Sequence, residues 1–82
     1  MDIPGKQRLR AAVEGLLAAR GHREPLGEED ALFSSGRLDS LAATELIVLL
    51  EGDFALDLSD ADFDISELDS LASIAALVDR ST

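Results

Sequence analysis

The sequence predicts an all-α fold: a small bundle of three main helices and one short one, with a long loop between helices 1 and 2. Three observations carry that expectation. Apolar residues recur at helical spacing in three separate stretches; no stretch alternates with the period of two that a strand needs; and Gly, Pro, Asp and Ser gather between the periodic stretches. The 82 residues are read as one domain, residues 1–82. A chain of this size buries only about 60–65% of the surface its unfolded form exposes, so its core is thin.

The first helix is expected over residues 6–20. Leu9, Ala12, Val13, Leu16 and Leu17 stand at i, i+3, i+4, i+7 and i+8 there, making one apolar face. Pro4 suits its start, Gly21 its end, and Arg20 complements the negative end of the helix dipole. Residues 21–38, GHREPLGEEDALFSSGRL, are rich in turn formers and read as an ordered loop pinned by Leu26, Leu32, Phe33 and Leu38. Loops of that length in small domains are often functional.

The second helix is expected over residues 40–53, with Asp39 as N-cap and Ser40 and Leu41 as its first residues. Ala43, Leu46, Ile47, Leu50 and then Phe54 form a core stripe. Leu41, Thr44 and Val48, flanked by Glu45, form a second stripe on another face, which in so small a domain is presented to a partner. The acidic stretch 57–66 suggests one helical turn around Ala61–Phe63. From Ser70 onward Leu71, Ile74, Ala75 and Val78 recur with helical spacing, and Leu68 and Leu77 add apolar surface. Ser66 and Asp69 read as a capping box before that last helix.

Composition excludes several functions. The formal net charge is −10, and five of the seven basic residues precede residue 24. Between Arg37 and Arg80 stand eleven acids and no Lys or Arg. That half repels a phosphate backbone and an anionic membrane, so neither is an expected partner. A protein with a basic patch is the natural complement. Cysteine is absent, which removes disulfides, thiolate metal sites and a cysteine nucleophile. No apolar run exceeds five residues, Leu46–Leu50 being one, so no membrane span is expected. The N-terminus lacks an apolar signal region, and the expected location is the cytoplasm. Met1 and the full set of helices lead to the expectation of a free-standing protein, and a monomer is expected.

The tripeptide Asp-Ser-Leu occurs twice, at 39–41 and at 69–71. Ser70 enters the last helix between core leucines and reads as a cap. Ser40 lies where a long loop meets a helix N-terminus, which favours an anion, and Gly36 frees the backbone just before it. A phosphate ester on the Ser40 hydroxyl is well placed there. Catalysis by the protein itself has little to work with, because the lone histidine, His22, sits in a loop after the first helix. The spacing of Asp60, Asp62 and Asp64 opens like a calcium loop, but Ile65 and Leu71 stand where Gly and Glu are required.

The segment LFSSGRLDSLAATELIVLLEGDFALDL resembles the phosphopantetheine attachment region of acyl and peptidyl carrier proteins, and the likeness extends over the whole chain. The commonest form of the motif has Gly three residues before the serine. Gly36 is four before, which looks more like stand-alone D-alanyl, other aminoacyl or specialised acyl carriers. The family usually has a larger apolar residue at the position of Thr44 and acids at those of Ala42 and Gly52.

The resemblance implies that Ser40 receives 4′-phosphopantetheine from coenzyme A, with Mg2+ needed only in the reaction of the phosphopantetheinyl transferase. Asp39 would serve transferase recognition, and Leu41, Thr44, Glu45, Val48 and Glu51 would be read by partner enzymes. Those partners are an acyl- or aminoacyl-activating ligase or an acyltransferase, and downstream synthase enzymes. The implied role is to hold acyl or aminoacyl intermediates as thioesters, in polyketide, nonribosomal peptide or D-alanyl-type pathways, with no catalysis of its own. The competing expectation is an unmodified acidic helical interaction module.

Overall fold

Asp2 opens the first helix. Its carboxylate accepts the Gly5 amide at 2.8 Å, and its carbonyl accepts the Lys6 amide at 3.0 Å. Pro4 sits in that first turn, where its missing N–H costs nothing. In the computed structural model, which describes residues 2–56 and 64–81, α1 therefore runs Ile3–Ala19. It starts three residues earlier than the apolar period alone indicates, because the cap and the proline extend it beyond its buried face. Leu9, Val13 and Leu17 are buried along that face. At its end the Gly21 amide returns to the Ala18 carbonyl (3.0 Å) and the His22 amide to Leu17 (2.9 Å). That paired closure needs a left-handed residue, and Gly21 supplies it with φ of 86°. Arg20 is the cap itself, and its Nη1 donates to the Leu16 carbonyl at 3.1 Å.

The second helix, α2, spans Ser40–Asp53 as expected, and Asp39 caps it by accepting the Ala42 amide at 2.9 Å. The core stripe is as read from the sequence: Ala43, Leu46 and Leu50 are buried, with Ile47 and Phe54 packed against them, and Ala42 joins them. α1 and α2 run antiparallel. Near one end Arg8 donates to the Asp53 carbonyl and lies 4.9 Å over the Phe54 ring; near the other Arg20 approaches Asp39.

A short 3₁₀ helix, η1, covers Ile65–Leu68, and α3 covers Leu71–Ser81. The turn expected around Ala61–Phe63 lies outside the described residues. The capping box forms two residues earlier than expected. Asp64 accepts the Ser66 amide at 3.1 Å and Glu67 reaches back to the Asp64 amide at 3.5 Å, so it caps η1. Asp69, expected to close a box with Ser66, is engaged elsewhere. Leu68, Leu71, Ile74, Leu77 and Val78 complete the core. Among the described residues no strand occurs and no polar side chain is buried.

The loop of residues 21–38 is held against this frame. Leu26, Leu32 and Leu38 are buried and Phe33 is half-buried. Arg10 donates to the Leu26 carbonyl, and the Ala72 amide to the Glu28 carbonyl at 2.9 Å. The Leu32 amide bonds the Asp69 carbonyl at 2.7 Å.

Candidate functional site

The loop delivers the chain to the start of α2 in a set of short bonds. Gly36 donates to the Phe33 carbonyl at 3.0 Å and Leu38 to Leu32 at 2.9 Å. Gly36 takes φ of 83°, the left-handed freedom expected of it. The Asp69 carboxylate fastens this turn from the far side. It accepts the Phe33 amide (2.7 Å), the Ser34 amide (2.9 Å) and the Ser34 hydroxyl (2.7 Å).

The two serines of the repeated triplet end in different environments. Ser70 is half-buried and shares reciprocal bonds of 3.1 Å with Ser73: each amide donates to the other's hydroxyl oxygen. Ser70 is the N-cap of α3, as expected. Ser40 is exposed as the first residue of α2, and its hydroxyl makes no hydrogen bond among the described residues. Asp39 satisfies the Ala42 amide, while the amides of Ser40 and Leu41 belong to the first turn, where no intrahelical acceptor exists.

Asp39 is exposed, and its carboxyl is held below the usual range, first by the Ala42 amide and then, against the opposing effect of desolvation, by the nearby Arg20 charge. Arg20 was a residue for which sequence reasoning found only a dipole role. Its Nη2 lies 3.5 Å from Asp39 Oδ1 and 3.5 Å from Glu45 Oε2. No local signal reveals this, because the contact joins α1 to α2.

The residues expected to face partners do share one surface. At about 100° per residue, Ser40, Glu51, Thr44, Val48, Leu41 and Glu45 fall within an arc of about 140° on α2. Leu41 is 63% and Val48 64% exposed, high for large apolar side chains. Thr44 turns its hydroxyl back to the Ser40 carbonyl at 3.2 Å, which leaves its methyl for the apolar stripe.

Other candidate features fall away from this surface. The His22 amide closes α1, and no hydrogen bond or ion pair joins its ring to either serine. Among the described residues no group of three His, Cys, Asp or Glu is disposed to hold a metal. An open groove of about 120 Å³ lies between the first half of α1 and the start of α3, lined by Ile3, Lys6, Leu9, Glu28 and Leu71 among others. It is separated from Ser40 by most of the length of α1, roughly 20 Å at 1.5 Å per residue. No helix among the described residues is long and apolar enough to cross a membrane.

A phosphate-linked group esterified to Ser40 fits these surroundings. The hydroxyl is open to solvent and uncommitted, the neighbouring amides carry the positive end of a 14-residue helix, and Arg20 offsets the nearest carboxylates.

The family model of the phosphopantetheine attachment site matches residues 7–78, from the first turns of α1 to the last turns of α3. Comparisons with curated proteins and with solved structures return no match. Domains of the matched family are carriers rather than enzymes; each bears a covalent 4′-phosphopantetheine and works with a phosphopantetheinyl transferase and with synthase or ligase partners. With nearly its whole length matched, the chain belongs to the acyl and peptidyl carrier proteins.

Proposed function

We propose that Ser40 is the residue that takes the phosphopantetheine, and that residues 1–82 act as one carrier domain. The observation that carries this is the contrast between the serines: the Ser40 hydroxyl is exposed and unbonded at a helix N-terminus, while that of Ser70 is tied into the cap of α3. In the transferase the Ser40 oxygen bonds to the phosphorus that bears pantetheine in coenzyme A. The bond from that phosphorus to 3′,5′-ADP breaks, and the hydroxyl proton leaves to a base of the transferase. Mg2+ belongs to that reaction alone. Once attached, the arm supplies the thiol that a cysteine-free chain lacks, and acyl or aminoacyl groups ride on it as thioesters.

The chain's own residues present and orient the arm. Asp39 holds the first turn of α2 and offers its exposed carboxylate to the transferase. Leu41, Thr44, Glu45, Val48 and Glu51 form the face that loading and downstream enzymes read: apolar in the middle, acidic at its edges. A ligase or acyltransferase loads the thiol, in a polyketide, nonribosomal peptide or D-alanyl-type pathway. The protein works as a cytoplasmic monomer.

The test is intact mass after incubation with coenzyme A, Mg2+ and a promiscuous transferase. Wild type and Ser70→Ala should each gain one phosphopantetheine, and Ser40→Ala none. Modification of Ser40→Ala would move the site elsewhere. An unmodified wild type would leave an acidic interaction module as the reading.

A further inference from the structure

The acidic docking face of α2 contains a cation of its own. Arg20 is packed, with its side chain only 20% exposed, whereas the carboxylates it meets are open, at 65% for Asp39 and 47% for Glu45. Its position is set by α1. It caps that helix, and Nη1 is held by the Leu16 carbonyl at 3.1 Å. The two contacts to the acids are both 3.5 Å and share one nitrogen, at the outer limit of hydrogen bonding. Arg20 Nε is buried without an acceptor. A guanidinium anchored to one helix, loosely shared by two open acids and incompletely satisfied, is a fixed charge that those acids can leave. Glu51, at the other end of the same face, makes no ion pair among the described residues.

We propose that Arg20 is a specificity-determining residue of the docking face. In the free protein it occupies the place between Asp39 and Glu45 that a basic residue of a partner enzyme takes on docking. The inference rests on α2 being that face and Ser40 the attachment site. A partner reaching the serine end must either take the two carboxylates from Arg20 or set its own cation beside a like charge; both weaken association. The far end, at Glu51, is free of this competition. Partners that lean on the serine-proximal acids are therefore held more weakly than the net charge of −10 would suggest. That suits a carrier that must leave each enzyme for the next. Arg20 carries no proton or group in the transfer, so its effect falls on association and not on the chemical step.

The experiment follows initial rates of phosphopantetheinylation against carrier concentration, using coenzyme A and a transferase whose carrier-binding surface is basic. Wild type, Arg20→Gln, Arg20→Lys and Arg23→Gln are compared at low and high salt. Arg23 is exposed in the loop after α1 and in no ion pair among the described residues, so its substitution controls for net charge. An exposed ion pair is worth up to about 1 kcal/mol, so KM should fall roughly two- to fivefold for Arg20→Gln. kcat should stay unchanged, Arg23→Gln should have much less effect, and Arg20→Lys should remain near wild type. The difference should close at high salt. Equal effects of Arg20→Gln and Arg23→Gln, or a KM that rises in Arg20→Gln, would overturn the proposal.

Melting curves show whether each variant folds. Should Arg20→Gln fail to fold, the acids answer the same question. Glu45→Gln should raise KM less than Glu51→Gln, because Glu45 is already offset by Arg20; the reverse order overturns the proposal. A wild type that is never modified overturns the Ser40 reading along with it, whereas a modified wild type whose KM Arg20→Gln leaves unmoved overturns this inference alone.

Discussion

Asp39 and Asp69 head the same tripeptide, yet their carboxylates have different work. Asp39 caps α2 and faces solvent; Asp69 is half-buried and fastens the turn at Phe33 and Ser34. Burial pushes the Asp69 carboxyl up, but the amide and hydroxyl of Ser34 and the amides of Phe33 and Leu32 outweigh that and hold it below the usual range. A carboxyl depressed in the folded state stabilises the fold above its unfolded value, near pH 4, and the contribution is lost as pH falls through the folded value. Asp69→Asn, which keeps the shape and loses the charge, should therefore cost about 1–2 kcal/mol at pH 7. Denaturant titration should show that gap shrinking as pH drops below about 4; a gap constant with pH would mean that the charge is not what holds the turn. The repeat of the triplet was legible in the sequence. That its second acid braces the approach to its first serine was not, because Asp69 and Phe33 are joined only by folding.

At the scale of elements, the three main helices were legible because each has a buried face long enough to show a period. Their ends were set by single residues. Asp2 and Pro4 carried α1 three residues beyond its period. η1, four residues long, is too short to show a period at all. The stop of α1 depends on Gly21, whose φ of 86° suits no residue with a Cβ, although a Cβ there would meet nothing within 4 Å. Gly21→Ala should therefore destabilise by about 1 kcal/mol through backbone strain alone. Gly15, helical and exposed in the same element with open space around it, should behave oppositely. Gly15→Ala should stabilise by roughly 0.5–1 kcal/mol. Urea midpoints with unchanged slopes check both, and shifts of the same sign would refute the account of the helix end.

For the whole molecule, a thin leucine core opposes the self-repulsion of a net charge of −10. The Arg10–Glu14 and Arg80–Glu67 ion pairs are exposed or half-exposed, and such pairs contribute little. Screening should then relieve more repulsion than attraction. Raising salt from about 0.01 M to about 0.5 M, where the screening length falls from roughly 30 Å to below 8 Å, should raise the melting temperature. Calorimetry checks the sign; a falling melting temperature would mean that the ion pairs outweigh the repulsion.

The sequence by itself determined the all-helical class, the long pinned loop, the Asp39 cap and the stripe of Leu41, Thr44 and Val48 that α2 leaves outside. Each of these is written in neighbouring residues, as a period, a cap or a turn former. Only the tertiary structure decided that Ser40 is unengaged while Ser70 is bound to Ser73, that Asp69 holds the turn before α2, and that Arg20 stands between Asp39 and Glu45. The clamp and the cation join residues far apart in the chain; whether a hydroxyl is bonded or open depends on what the fold packs around it. No local pattern encodes such contacts, because they exist only once the helices have packed.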